Sequence, residues 1–224
     1  MNWMAIGVTC KLATLTSLTL LIIGLPIAYW LTYSKWRWKF LIESIVALPL
    51  VLPPTVLGFY ILIAIGPHSP MGHFYTDLVG HPLPFSFQGL LLASILYSLP
   101  FAVQPFAAAF EQVDRKLIEA SWTLGLSKLK TFFKLILPLS TAGLITGVVL
   151  SFAHTLGEFG VVLMVGGNIE GVTRTVSIEI YDDVQALNYI GAAKTSALLL
   201  VVSYAVLLLV YAMNRRVWSV WPQK

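Results

Sequence analysis

Glu158 has the least expected chemistry in this sequence, because its carboxylate lies within a long apolar stretch. A charged side chain in lipid costs about 2.5–3.5 kcal/mol, so such a group needs a partner. His154 precedes it by four residues, and residues at that spacing share one face of a helix. We therefore expect His154 and Glu158 to share a hydrogen bond or a proton.

Other reactive residue types do not form a recognisable active site. Three histidines lie among prolines, together with Asp77, at a spacing that fits no zinc motif: His68, His73 and His81. No G-x-x-x-x-G-K-[ST] sequence occurs, so the loop that holds nucleotide phosphates is missing. The single cysteine, Cys10, is assigned no role. The sequence predicts no catalytic residue, no metal site and no cofactor within this chain.

The elements that must position Glu158 are apolar helices within a membrane. The 224 residues are 58% hydrophobic and 11% charged, with a mean hydropathy of +0.83. Soluble proteins are about 45–50% apolar and about 25% charged. The apolar residues form long blocks without alternation, which indicates an all-α protein surrounded by membrane lipid. The net charge of +4 does not indicate a nucleic-acid partner, because basic residues beside apolar blocks act as topology signals.

Five stretches are long enough to cross a bilayer, which requires about 20 mainly apolar residues each. These predicted spans cover approximately residues 12–33, 42–65, 88–110, 139–165 and 191–213. The first is interpreted as a retained helix, because it lacks a basic n-region and a cleavage site before Lys35. Prolines within the spans predict kinks or breaks: Pro26, Pro49, Pro53, Pro54, Pro100 and Pro105. Residues 1–224 are expected to form one transmembrane domain.

The distribution of Lys and Arg predicts the orientation of these spans, because positive residues favour the cytoplasmic side of short loops. Eleven of the 14 basic residues fall on one side: Lys35, Arg37, Lys39, Arg115, Lys116, Lys128, Lys130, Lys134, Arg215, Arg216 and Lys224. Tryptophans cluster on the same side, as in an aromatic belt: Trp30, Trp36, Trp38, Trp218 and Trp221. The N-terminus is therefore expected outside and the C-terminus in the cytoplasm, which requires an odd number of spans.

The longest interior loop, residues 111–138, has a helical pattern. Residues 116–124 favour a short helix that ends at Gly125, and the apolar residues that follow recur at the spacing of an amphipathic surface helix. Residues Glu119, Ala120 and Ser121, then Gly125, then 135–138 resemble the E-A-A-x3-G-x9-I-x-L-P loop of binding-protein-dependent importer permeases. Ser121 replaces the second Ala of that motif, and Leu135 replaces its Ile.

This resemblance implies how the chain obtains energy. In that family the short helix docks into a groove on a separate ATPase, which implies a coupling role for Glu119, Ala120, Ser121, Gly125 and Pro138. It also implies an assembly of two copies of this chain, two ATPase subunits that bind ATP and Mg²⁺, and an extracytoplasmic solute-binding protein. The location implied is a bacterial inner membrane, and the mechanism is alternating access.

Two further segments resemble one branch of this permease family. Residues 47–58, and 157–160 followed by Gly167, Asn168 and Ile169, are similar to the molybdate and sulfate branch of these permeases. A short five-span chain resembles the molybdate permeases more, which implies that molybdate, with tungstate as a variant, is the cargo. Sulfate or thiosulfate remains the alternative, and a stand-alone secondary transporter is a third, for which only Glu158 offers an intramembrane acid.

Broken backbone at membrane depth usually borders a cavity, so the Pro-Pro pair and its surroundings are pore or gate candidates. These candidates are Pro53, Pro54, Thr55, His154, Gly157, Glu158 and Gly160. A carboxylate repels an oxyanion, so we expect Glu158 to brace the helices or the gate. Gly143, Gly147 and Ser151 form a row of small residues that admits a close helix, either within the chain or at a dimer seam.

Overall fold

The computed structural model describes residues 2–213 as a bundle of helices, with no β-strand in that range. The helices are α1 (Trp3–Tyr33), α2 (Lys39–Ala47), α3 (Pro54–Ile65), α4 (Pro70–Val79), α5 (Phe87–Glu111), α6 (Arg115–Thr123), α7 (Lys128–Thr131), α8 (Leu137–Leu139), α9 (Thr141–Leu156), α10 (Gly160–Gly166), α11 (Val176–Gln185) and α12 (Tyr189–Met213). A 3₁₀ turn (Leu48–Leu50) follows α2, and a π-helical turn (Phe132–Ile136) joins α7 to α8. Five residues used above for orientation lie outside the described range: Arg215, Arg216, Trp218, Trp221 and Lys224.

Helices α1 and α5 form the centre of the bundle and run in the same direction. Near their C-terminal ends, the Tyr33 hydroxyl donates to the Phe110 carbonyl at 2.9 Å. Near their N-terminal ends, the Lys11 ammonium lies 4.3 Å from the centroid of the Phe87 ring. Two basic loops, 35–39 and 111–138, directly follow these helices. Both loops therefore lie at one end of the bundle, which we call the basic end.

The opposite end of the bundle carries acidic residues. The Asn2 side chain, which caps α1, donates to Glu170 at 3.3 Å and to Glu179 at 3.4 Å. Arg174 lies within 4.0 Å of three carboxylates, those of Glu170, Glu179 and Asp182. We call this the acidic end. The separation of basic and acidic loops between the two ends is the pattern from which the sequence predicted an orientation.

Three helices, α1, α5 and α12, are each long and apolar enough to cross a membrane. Two bent pairs raise the number of candidate spans to as many as five: residues 39–50 with α3, bent by 112°, and residues 128–139 with α9, bent by 73°. The protein is therefore an all-helical, multi-pass membrane protein. Helix α5 and helix α12 match their predicted spans closely, whereas α1 begins at Trp3 and not at Leu12.

The second predicted span is broken, as its prolines predict, and the fourth is also interrupted, which was not predicted from the sequence. The chain of 42–65 turns sharply after the 3₁₀ turn, because Pro53 and Pro54 lack the amide hydrogens that a helix needs. The chain of 139–165 does run between the two ends of the bundle. Ser140 donates to the Ala109 carbonyl at 3.2 Å, and the Val165 carbonyl accepts from Phe85 at 2.9 Å. Residues 157–159 interrupt its helix.

Prolines inside α1 and α5 do not break those helices. Pro26 lies within the 31 residues of α1, and Pro100 and Pro105 lie within the 25 residues of α5. Single prolines are tolerated in membrane helices when neighbouring groups satisfy the freed carbonyls. Pro53 and Pro54, which are adjacent, do break the helix of their span.

The row of small residues on α9 packs against α5 within the chain. A Cβ atom built on Gly147 meets the Phe106 Cε1 atom at 2.5 Å and the Ala102 carbonyl oxygen at 3.0 Å. One built on Gly143 meets the Ala109 side chain more closely still. Ser151 lies 3.5 Å from the Ser17 hydroxyl of α1. Small side chains here allow the close approach of α9 to the centre of the bundle.

We predict that Gly147→Ala destabilises the bundle by about 1–3 kcal/mol, because the added methyl group meets the buried Phe106 ring. The midpoint of thermal unfolding in detergent measures the loss. Gly7→Ala in α1 is the matched control, because no atom lies within 4 Å of the added methyl group and alanine favours a helix. An unchanged midpoint for Gly147→Ala would contradict the packing described.

Candidate functional site

The two helix breaks lie next to each other. Helices α3 and α10 pack side by side, each beginning directly after its break. A Cβ atom built on Gly160 meets the Pro54 Cβ atom at 2.7 Å, and one built on Gly58 meets the Met164 Cβ atom at 2.8 Å. The absence of side chains at the two glycines permits this contact. The structure therefore brings together Pro54 and Gly160, which the sequence singled out separately.

Each break has a local cause. Pro53 has an extended conformation (φ −54°, ψ 135°) and Pro54 occupies the first position of α3, where a missing amide hydrogen costs nothing. Gly157 ends α9, and Phe159 (φ −129°, ψ −59°) precedes α10. Thr55 is exposed at the start of α3. Non-helical backbone at this depth must be covered by protein or line an aqueous cavity.

Glu158 lies in the second break and is buried, with 4% of its surface exposed. Neither carboxylate oxygen has a hydrogen bond of 3.5 Å or less among the described residues. The hydroxyl of Ser94 on α5 is close enough to interact with the carboxylate but forms no hydrogen bond within that distance. The carboxylate therefore lies between the break and α5.

The expected pair of His154 and Glu158 is not formed, which corrects the sequence analysis. Helix α9 ends at Leu156, so the two residues do not occupy successive turns of one helix. The Nδ1 atom of His154 is instead 3.0 Å from the hydroxyl of Ser98 on α5. The imidazole ring stacks on Phe101, with centroids 3.9 Å apart, and contacts Tyr97 at 4.8 Å. His154 therefore connects α9 to α5.

Helix α5 supplies partners at this site that were not predicted from the sequence. Ser94 and Ser98 are separated by one helical turn and are fully buried. That spacing of hydroxyls within an apolar helix is a signal of a polar stripe. The aromatic partners of His154, Tyr97 and Phe101, have the same spacing. Both pairs face the end of α9, where the second break begins.

The loop at the basic end contains the second group of candidate residues. Asp114 caps α6, since its side chain accepts from the Lys116 amide at 2.8 Å. Helix α6 ends as the sequence predicted, with Gly125 in the left-handed region (φ +82°). The Gly125 amide donates to the Trp122 carbonyl at 2.9 Å, and the Leu126 amide to the Ser121 carbonyl at 3.0 Å. This pair of bonds defines a Schellman cap, which requires the left-handed residue.

Helix α6 has one face against the bundle and one face free. Ile118 is buried in the same apolar core as Phe106 and Phe110 of α5. The buried hydroxyl of Ser121 lies 2.9 Å from that of Thr131, which ties α6 to α7. The exposed residues of the segment include Leu117, Glu119, Ala120, Trp122, Leu124 and Gly125. Glu119 forms an ion pair with Arg115, at 3.2 Å, and Leu124 is 82% exposed.

The helix after Gly125 differs from the regular amphipathic helix that the sequence predicted. Residues 128–139 are helical, but the amide of Leu137 donates to the carbonyl of Phe132, five residues earlier, in a π-helical turn. Phe132 packs its ring against Tyr29 of α1 at 5.2 Å and Phe110 of α5 at 6.0 Å. The exposed Pro138 follows in α8. This segment therefore links α6 to α9 and to the core.

Known proteins resemble this chain over nearly its whole length. It is 48% identical over 94% of its length to the molybdenum transport system permease protein ModB of Azotobacter vinelandii, covering 93% of that protein. It is 34% identical over 91% of its length to a probable sulfate transport system permease protein of Chlorella vulgaris, covering 76% of that protein.

Its fold matches the inward-facing MetNI methionine ABC transporter with a TM-score of 0.70 at 18% identity, covering 95% of this chain and 94% of that chain. The family model of binding-protein-dependent transport system inner membrane components matches residues 21–219. The chain therefore belongs to the family of inner membrane components of binding-protein-dependent transport systems.

Proposed function

We propose that this chain is the membrane-spanning permease subunit of an ATP-driven importer of molybdate. The choice of molybdate as the transported anion is supported by the similarity to the molybdenum permease of Azotobacter vinelandii, which extends over almost the full length of both chains. The family assignment disfavours the stand-alone secondary transporter considered from the sequence, because transport in this family depends on a binding protein. The chain itself hydrolyses no ATP in this proposal.

The coupling surface is the exposed face of α6, with Glu119, Ala120 and Gly125 in contact with an ATPase subunit. Apolar side chains that remain exposed on a helix outside the membrane mark a protein interface, and Leu124 and Trp122 are of this kind. The buried contacts of Ile118 and Ser121 transmit a movement of α6 to the bundle. Two ATPase subunits, which bind ATP and Mg²⁺, serve two copies of this chain.

The cargo path passes the paired breaks, where Pro53, Pro54, Thr55, Gly157 and Gly160 border the non-helical backbone. Glu158 braces these breaks against α5 and does not hold the anion, since like charges repel. An outer solute-binding protein delivers molybdate to the acidic end. The bundle then alternates between outward and inward openings in a bacterial inner membrane, with five spans.

Transport of labelled molybdate into reconstituted vesicles tests the proposal. We expect accumulation only when the ATPase subunits, ATP and the binding protein are all present. An unlabelled excess of tungstate should suppress the accumulation, whereas sulfate at the same concentration should not. Suppression by sulfate, with accumulation of labelled sulfate in place of molybdate, would favour the second candidate, which the similarity to a probable sulfate permease supports.

We predict that a reporter fused after Lys224 is cytoplasmic and that one inserted within 66–87 is external, because the basic loops favour the cytoplasm. A third reporter within 35–38, at the basic end, is the control and should be cytoplasmic. Accessibility of each reporter to an impermeant reagent in intact cells gives the measurement. The opposite pattern at all three sites would show that the chain has the opposite orientation in the membrane.

A further inference from the structure

Two hydroxyl groups, those of Ser98 and Thr155, connect His154 to the Ser151 carbonyl through a chain of hydrogen bonds. The Nδ1 atom of His154 is 3.0 Å from Ser98 Oγ, which is 3.0 Å from Thr155 Oγ1. Thr155 Oγ1 in turn lies 2.9 Å from the carbonyl oxygen of Ser151. Ser98 and Thr155 are buried, with 0% and 1% of their surfaces exposed. Water therefore has little access to these bonds.

The number of available hydrogen atoms determines which group donates in each of these hydrogen bonds. The Ser151 carbonyl can only accept, so Thr155 uses its one hydroxyl hydrogen there. Thr155 Oγ1 then accepts the one hydrogen of Ser98, and Ser98 Oγ must accept from the imidazole. If Ser98 donated to the imidazole and Thr155 to Ser98, Thr155 would have no hydrogen left for the Ser151 carbonyl. Only a hydrogen on Nδ1 of His154 satisfies all three contacts.

The second ring nitrogen of His154, Nε2, is not used by these hydrogen bonds. Stacking on Phe101 and contact with Tyr97 hold the ring in place. The Nε2 atom has no hydrogen-bond partner within residues 2–213, and the side chain is partly exposed beside the second break. With the hydrogen on Nδ1, a neutral imidazole offers a lone pair at Nε2. The Nε2 atom of His154 is then an acceptor.

We propose that the hydrogen bonds through Ser98 and Thr155, here called the relay, hold His154 as the neutral tautomer with its hydrogen on Nδ1. His154 then forms a wall of the oxyanion path that offers no hydrogen-bond donor. This inference rests on the proposed function. The first break agrees with it, because Pro53 and Pro54 have no amide hydrogen. Proteins that bind oxyanions tightly supply N–H donors, whereas a path must release what enters it. The Pro-Pro pair and the Nε2 atom of His154 therefore offer no N–H donor to a passing oxyanion.

Nitrogen-15 NMR of labelled histidine tests the tautomer directly. The other three histidines, His68, His73 and His81, are exposed and can be replaced with Gln to leave one signal. We expect a one-bond hydrogen coupling at Nδ1 of His154 and none at Nε2. Thr155→Val removes the acceptor for Ser98, which then donates to Nδ1, and the coupling should move to Nε2. Thr155→Ser keeps the hydroxyl and should keep the wild-type tautomer.

Ser98→Ala is a second variant that removes the acceptor of the imidazole hydrogen, in case Thr155→Val does not fold. It should also move the coupling to Nε2, which is the form that free imidazole side chains prefer. A coupling at Nε2 in the wild-type protein would overturn the proposal. So would a coupling that stays at Nδ1 in both variants, because the relay would then not set the tautomer.

Uptake kinetics of labelled molybdate test the role of the wall in the full transporter. A new N–H donor at Nε2 in Thr155→Val should hold the anion, so KM should fall on the order of tenfold and the maximal rate should fall with it. Thr155→Ser should match the wild type. If KM is unchanged in a variant whose one-bond coupling has moved to Nε2, His154 does not form a wall of the path. Absence of molybdate uptake by the wild type would instead refute the proposed function, and the NMR result would stand independently.

Discussion

Gly125→Val is expected to abolish ATP-driven uptake of molybdate while the chain still inserts into the membrane. Valine at φ +82° costs about 1–2 kcal/mol, because a β-branched side chain disfavours the left-handed region. Apart from its chain neighbours, no atom of residues 2–213 lies within 4 Å of the added Cβ, so the effect acts through the backbone. Loss of the Schellman cap changes the direction in which the chain leaves α6.

The measurements are uptake by vesicles and hydrolysis of ATP stimulated by the binding protein. Both should be lost in Gly125→Val, because α6 no longer presents its exposed face correctly to the ATPase. Gly80→Val is the matched control, since Gly80 also ends a helix at positive φ (+84°) with no atom within 4 Å of an added Cβ. Gly80 follows α4, far from the basic end, and its variant should keep stimulated hydrolysis. Normal coupling in Gly125→Val would exclude this loop as the coupling element.

Gly160→Val is expected to cause the other large loss of uptake, because it separates the two helix breaks. The valine Cβ meets the Pro54 Cβ atom at 2.7 Å, and its two methyl groups extend further toward α3. Overpacking of this kind costs about 1–3 kcal/mol and displaces backbone. Displacement of α3 from α10 moves both breaks, and with them the residues that border the proposed path.

Gly157→Val is the control for this second variant. Gly157 lies three residues earlier in the same break, and the nearest atom to its added Cβ is the His154 carbonyl oxygen, at 4.0 Å. Its φ of −92° is accessible to any residue. We expect Gly157→Val to lose less of the uptake than Gly160→Val, measured in the same vesicles at equal protein content. Equal losses in both variants would show that the contact between α3 and α10 does not decide transport.

Local patterns in the sequence predicted the features that depend on near neighbours. The end of α6 at Gly125 follows from helix formers and a glycine, and the structure confirms it. The break before α3 follows from the chemistry of Pro53 and Pro54. The lengths of α5 and α12 follow from apolar runs without adjacent prolines. Each of these depends on a few consecutive residues and elementary stereochemistry.

Features that depend on distant residues were not predicted. The pairing of His154 with Glu158 was wrong because it assumed a continuous helix, and the break at 157–159 has no proline to announce it. The partner that His154 has in its place, Ser98, is 56 residues away along the chain. The hydroxyl of Ser121, which departs from the family pattern, bonds to Thr131 across the turn at Gly125. These contacts are set by packing between helices, which periodicity in one segment does not contain.

The π-helical turn at Phe132–Ile136 allows this loop to change length by one residue without reorienting what it connects. A π-helical turn holds one residue more than the α-helical turn it replaces, so deleting a residue there leaves a regular helix with its flanks aligned. A deletion elsewhere in an α-helix rotates everything beyond it by about 100°. Homologous chains with one residue fewer between Gly125 and Pro138 are therefore compatible with the same architecture. An alignment gap at this position would record the loss of a π-helical turn during evolution, and not a different loop.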